Sequence, residues 1–206
     1  MKFSDSRVVD RHSTEAVESI LMDTALFYLI NRLPHWDWFD RLVLFVSDIQ
    51  QKEALIVMGA VLIFGVVFKK RGLWRATLIL IIAFVAVDQL VWWIKPFFHR
   101  ARPAEVLEGV NILGGNAGGS SFPSSNAANV AVLFAFIYFV TRKNLVFWAG
   151  LTVLLGVFRV YKGIHFPSDL LGGWVLGVLG AWGASFFHQY VQNKFPGSGS
   201  DNRAYP

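Results

Sequence analysis

ATLILIIAFVAVDQLVWWI, residues 76–94, decides the fold. Its polar side chains are few, Thr77, Asp88 and Gln89, and two tryptophans stand near its end. A run of this length is about what one helical crossing of a hydrocarbon core needs, and tryptophan favours the bilayer interface. Four more apolar runs stand at 54–68, 127–140, 145–158 and 170–187. Several fall short of the roughly 20 residues of a full crossing, so their ends must borrow flanking residues or snorkelling Lys and Arg. A soluble bundle of the same helices would need polar faces to cover these runs, and a 206-residue chain lacks them. Composition agrees, with 54% hydrophobic and 16% charged side chains and a mean hydropathy of +0.47.

The expected fold is therefore all-α, a polytopic membrane helix bundle of five spans and a sixth, with an N-terminal amphipathic interfacial segment. Residues 1–53 form the amphipathic and first-helix region, 54–191 the membrane core, and 192–206 a polar, flexible tail. Within the first region, 16–33 carries Glu18, Asp23 and Asn31 among apolar residues, and 36–47 is amphipathic and tipped with tryptophan. One of these is expected to lie in the interface and the other to cross. The first fifteen residues are polar and contain no apolar signal core. Cysteine is absent, which removes disulfides and thiolate metal sites.

The net charge of +5 suits anionic headgroups better than nucleic acid, because the cations gather at the ends of apolar runs. Lys69, Lys70, Arg71 and Arg75 lie between the first two runs, and Arg142 and Lys143 between the third and fourth. By the positive-inside rule these connections are cytoplasmic, which puts 95–122 and 159–168 together on the outer face. That face is also basic, with Lys95, Arg100, Arg102, Arg159 and Lys162. Cations there need another task, and binding an anion is such a task.

Three stretches supply it. KPFFHRARP, residues 95–103, brings Lys95 and Arg102 off the end of a span; alone, it is equally a snorkelling cluster. FPSSN, residues 122–126, puts Pro123 near the first position of a helix and Ser124 and Ser125 at its anion-binding end. Alone, this is more commonly a plain cap. In FRVYKGIHFPSDLLGG, residues 158–173, Arg159 closes one span, His165 sits in a turn, and Asp169 falls in the first turn of the next helix. His165 can donate one ring N–H to Asp169, which fixes the tautomer and leaves the other nitrogen to attack. One His and one Asp are too few to favour a metal site.

Together the blocks resemble the type 2 phosphatidic acid phosphatase family, membrane relatives of vanadium haloperoxidases and bacterial acid phosphatases. That signature runs Lys, six residues, Arg-Pro; Pro-Ser-x-His; then Arg, five residues, His, three residues, Asp. Lys95 to Arg102-Pro103 matches the first block, and Arg159, His165 and Asp169 match the third. The resemblance implies a six-helix membrane fold and a lipid phosphatase without cofactor or metal. Lys95, Arg102 and Arg159, with Ser124, Ser125 and the N–H groups at 124–126, would hold the phosphoryl oxygens. His165 would form a phosphohistidine and Asp169 would orient it. The expected setting is a bacterial inner membrane crossed several times, with the site on the periplasmic face. Undecaprenyl diphosphate, a lipid A phosphate, phosphatidylglycerol phosphate and phosphatidic acid are the candidate substrates.

The second block departs from the family. Where the signature has the histidine that protonates the leaving oxygen and later activates water, this chain has Asn126. Asparagine has no proton to give at neutral pH, and loss of general acid catalysis costs about 10²–10⁴-fold. Three explanations stand: a substitution of near-equal shape that disables the enzyme, a natural variant acting on a diphosphate whose leaving group needs little protonation, or a lipid-phosphate binder without turnover. A transporter is the other non-enzymatic alternative. His99 is a substitute acid only if it can reach the site. Asp88, seven residues before Lys95 and on nearly the same helix face, is expected to hold Lys95 or a nearby arginine, or to reach interfacial water. Gly172, Gly173, Gly177, Gly180 and Gly183 are expected to let helices approach, and ILGGNAGGSS, 112–121, to be a flexible lid or connector beside the site.

Overall fold

The structure is a computed structural model that describes residues 6–47, 71–115 and 118–195, with isolated positions at 58, 59, 61 and 63. The apolar run at 54–68, and Lys69 and Lys70, therefore lie almost wholly outside the described residues. All regular structure among the described residues is helical. The elements are α1 (Ser6–Asn31), α2 (Arg71–Phe98), α3 (Ser125–Thr141), α4 (Leu145–Tyr161) and α5 (Pro167–Lys194), with a further helical stretch at 37–47 and a single turn at Pro103–Val106. Gly72–Val106 and Pro167–Lys194 are long and apolar enough to cross a membrane; Ser125–Thr141 and Leu145–Tyr161 are shorter apolar helices. The expected tail boundary at 192 falls inside α5, which runs on to Lys194.

Large apolar side chains stand outside and polar ones inside to an extent that a soluble domain does not show. Asp23, Asn31, Arg102, Asn129, Arg159, His165 and Asp169 are buried beside the apolar core, while Ile82, Trp92, Trp93, Val146, Leu179 and Phe187 stand on the outside. On α1 the pattern follows the helical period. Asp23, Phe27 and Asn31, four residues apart, turn inward, and Ile20, Leu21 and Leu29 turn out.

The α3–α5 pair is the most extensive in the bundle, and glycine makes it. A Cβ on Gly177 would run into the carbonyl oxygen of Ala128, one on Gly173 into that of Ser124, and one on Gly180 into the Val87 side chain of α2. Gly172 lies against the Phe122 ring. Gly183 departs from the expected stripe, since nothing stands within 4 Å of its Cβ position. Around these contacts Phe84, Val87, Val91, Val132, Phe136 and Ala181 form the main apolar core.

Asp88 has a partner that its own helix does not show. Its carboxylate accepts a hydrogen bond from Asn129 Nδ2 on α3 at 2.9 Å and so bridges two helices, while its charge also acts on Lys95 of its own helix.

α1 is tied to the end of the bundle that carries 95–122. Asn31 Nδ2 donates to the carbonyls of Asn111 (2.8 Å) and Tyr161 (2.9 Å), and Asn31 Oδ1 accepts from the Asn111 N–H at 2.9 Å. At the opposite end Arg75, at the start of α2, donates to the carbonyl of Phe195 just past α5 at 2.6 Å.

Candidate active site

The loops at 99–124 and 162–166 meet at one end of the bundle around a cavity of about 480 Å³. Lys95, Arg102, Ser125, Asn126, Arg159 and His165 all line it, as do Trp92, Lys162 and the glycines of 112–121. These residues come from the end of α2, the start of α3, the end of α4 and the turn before α5.

The cations are held by backbone. Lys95 Nζ donates to the Ser120 carbonyl at 2.8 Å. Arg102, 5% exposed, donates to the carbonyls of Ile164 (2.8 Å), Gly119 (3.1 Å) and Gly118 (3.2 Å). The glycine-rich loop is therefore wired to the site through its carbonyls, which orient the cations without neutralising them. Arg159 leaves the last turn of α4 and donates to the Ser47 carbonyl at 3.2 Å.

His165 occupies the turn between α4 and α5 and is 4% exposed. Gly163 makes that turn possible: its φ is +78°, and a Cβ there would strike the Asn111 carbonyl oxygen. The His165 Nδ1 stands 3.4 Å from Asp169 Oδ2, an electrostatic contact rather than a formed hydrogen bond, and has no hydrogen-bond partner among the described residues. Burial pushes its pKa down from the usual 6.5 to about 4; Asp169 works in the opposite direction, and Arg102 and Lys95 add to the fall. The imidazole is thus neutral at pH 7, the form in which a ring nitrogen is nucleophilic.

Asp169 is fully buried and well supplied with donors. Its Oδ1 accepts from Arg100 Nη1 at 2.7 Å, and its Oδ2 from the Phe166 N–H at 2.8 Å and from the Ser121 hydroxyl. The sequence counted Arg100 among the outer-face cations but did not pair it with Asp169, and it assigned no role here to Ser121 or to Asp23 of α1, which binds Arg100 at 2.5 Å. A carboxylate in an apolar helix needs a partner, and that signal pointed to Asp23 without saying where the partner lay.

The start of α3 differs from its expected form by a residue. Ser124 is the N-cap, so Pro123 precedes the helix rather than opening it. The Ser124 hydroxyl is buried and accepts from the Ala127 N–H, and the Ser124 N–H donates to the Asp169 carbonyl at 3.0 Å. Ser124 therefore serves the cap and is not a wall of the cavity. The first donors of the helix belong to Ser125 and Asn126. Asn126 lines the cavity, and its Oδ1 is shielded from solvent with no hydrogen-bond partner among the described residues. His99 is exposed and does not line the cavity.

Among known proteins, a family model described as the PAP2 superfamily matches residues 72–195. A lipid A 4'-phosphatase of Bacteroides thetaiotaomicron is 29% identical over 78% of this chain and 74% of its own length. Phosphatidylglycerophosphatase B of Bacillus subtilis is 27% identical over 69% of this chain and 71% of its own. In three dimensions the crystal structure of Aquifex aeolicus LpxE superposes with a TM-score of 0.65 at 29% identity, covering 79% of this chain and 94% of that one.

Proposed function

Because the chain belongs to the PAP2 superfamily, we propose that it is an integral membrane hydrolase that removes a terminal phosphate from a lipid phosphate or diphosphate. The observation that carries this reading is one shared cavity: His165, backed by Asp169, faces the same space as Lys95, Arg102 and Arg159. The helices cross the bilayer five or six times, and the cavity lies at its periplasmic face in a bacterial inner membrane.

In the reaction the substrate phosphate enters among Lys95, Arg102 and Arg159, with the N–H groups of Ser125 and Asn126 and the Ser125 hydroxyl completing the cradle. Their positive charge opposes the charge that spreads over the phosphoryl oxygens in the transition state. A ring nitrogen of neutral His165 attacks phosphorus, the bond to the leaving oxygen breaks, and a phosphohistidine forms. Water then attacks phosphorus, the P–N bond breaks with its electron pair returning to the His165 ring, and inorganic phosphate leaves with the oxygen of water, whose proton passes to the phosphate oxygens or the freed ring nitrogen. Asn126 neither protonates the leaving oxygen nor takes the proton of water. The chain consequently favours a leaving group that departs as an anion, such as the phosphate monoester left by a polyprenyl diphosphate, over the alkoxide left by a phosphate monoester.

The test is phosphate release in one detergent from undecaprenyl diphosphate, lipid A, phosphatidylglycerol phosphate and phosphatidic acid, with Asn126→His alongside. The expected result is release from the diphosphate by the parent chain, with Asn126→His raising turnover of the monoesters by about 10²-fold or more. A second reading, a lipid-phosphate binder, rests on Asn126 itself, which lines the cavity where the family signature has a histidine and supplies no general acid. No release from either protein, together with retained phosphate binding, would replace the enzyme with that binder.

A further inference from the structure

The carboxylate behind His165 is gripped by a group that the reaction above does not use. Arg100 spans two acids: Nη1 donates to Asp169 Oδ1 at 2.7 Å, and Nη2 to Asp23 Oδ2 at 2.5 Å. The same Nη1 reaches the Ser168 hydroxyl, which donates to Asp23 at 2.6 Å, while the Ser168 N–H donates to the other Asp23 oxygen at 2.9 Å. The Arg100 guanidinium also lies 4.3 Å above the centre of the Phe166 ring. Each contact fixes one degree of freedom of a planar fork, a geometry that lysine cannot reproduce.

We propose that Arg100, anchored by Asp23 of α1, is a positioning residue that acts through Asp169 to hold His165 in its attacking orientation. The inference rests on the reading of His165 as the nucleophile. Asp169 Oδ1 is fixed from one side by Arg100, and Oδ2 from the other by Ser121 and the Phe166 N–H, so the carboxylate cannot rotate away from the imidazole. With Arg100 removed, Oδ1 loses its charged donor and the carboxylate turns or takes a proton from elsewhere. Asp23 lies 77 residues before Arg100 and outside the stretch 72–195 matched by the family model, so through Arg100 and Ser168 it ties α1 to the carboxylate behind His165. Arg100 does not line the cavity, which separates it from Lys95, Arg102 and Arg159.

The test uses the full chain in detergent, as the parent and in the Asn126→His background, with Arg100→Met, Arg100→Lys, Asp23→Asn and Asp169→Asn. Arg100→Met is expected to lower kcat by about 10–100-fold, the scale of removing an outer partner of a catalytic group, with KM and inhibition by orthovanadate unchanged. Arg100→Lys should recover part of the loss, and Asp23→Asn should cost less than Arg100→Met. Combined with Asp169→Asn, Arg100→Met should add almost nothing, because the two act along one path. A fall in orthovanadate affinity, or full additivity with Asp169→Asn, would overturn the proposal. Independently of turnover, ¹⁵N-histidine spectra report the His165 tautomer, with the signal assigned by its loss in His165→Gln. The parent should show one tautomer and Arg100→Met an averaged one; an unchanged signal would overturn the proposal even if no lipid is hydrolysed. Absence of phosphate release in both backgrounds would instead fault the functional reading and leave the tautomer result to judge Arg100.

Discussion

Two histidines stand toward opposite ends of α5, and they differ in almost everything except burial. His165 precedes the helix and is 4% exposed; His188 lies near its far end and is 6% exposed. His165 faces a cavity lined by Lys95, Arg102 and Arg159 and is backed by a carboxylate that several donors fix. His188 sits edge-on to Phe136, with ring centroids 6.1 Å apart, and meets the Gln192 amide at 3.3 Å. It lines no part of that cavity. Burial of a titratable ring therefore does not make a site. A space for substrate, charge of the right sign, and a carboxylate beside the ring do.

The contrast breaks most sharply at the proposed nucleophile. His165→Ala should lower turnover by about 10⁴-fold or more while phosphate still binds, and His188→Leu should leave kcat unchanged. Phosphate-release rates on the two variants check this; equal losses would erase the distinction. Next in size are the cations. Arg102→Met should cost about 10²–10³-fold in kcat/KM, the scale of losing one donor to the transition-state charge. The pH profile sharpens the same comparison. With His165 at about 4, protonation removes the nucleophile only as pH falls through that value. The acid limb of kcat/KM should therefore lie near 4, well below the 6.5 or so of an ordinary imidazole; a limb near 6.5 would mean that His165 is hydrated in the working enzyme. The smallest effect belongs to the packing between the two histidines. Gly177→Ala, which thrusts a methyl at the Ala128 carbonyl, should lower stability by about 1–3 kcal/mol, read as a fall in thermal midpoint in detergent.

Much of this was legible in the sequence because its signals are local. Residues 95–103 and 159–169 are short blocks whose spacing survives without knowledge of the fold, and the helix that puts Lys95 at its last turn is written in an unbroken apolar run. What escaped depends on tertiary partners. Asp23 and Asn31 read as costly polar residues in an apolar helix, yet their partners, Arg100 and Asn111, lie 77 and 80 residues away. For Asp88 the sequence offered a cation or interfacial water, and the bundle added a hydrogen bond from Asn129 on another helix. Ser124 and Ser125 could not be told apart because the helix start was uncertain by one residue, and one residue decides which hydroxyl caps the helix and which meets the cavity.

Covalent capture at His165 tests the account most directly. After brief incubation with a terminally ³²P-labelled lipid diphosphate and a denaturing alkaline quench, the label should survive alkali, be lost in acid, and map to the peptide holding His165. It should be absent from His165→Gln. It should also accumulate more in the parent than in Asn126→His, because asparagine leaves no base to activate the water that clears the intermediate. Phosphate release with no label at His165, and with His165→Gln as active as the parent, would contradict the assignment of that residue as the nucleophile.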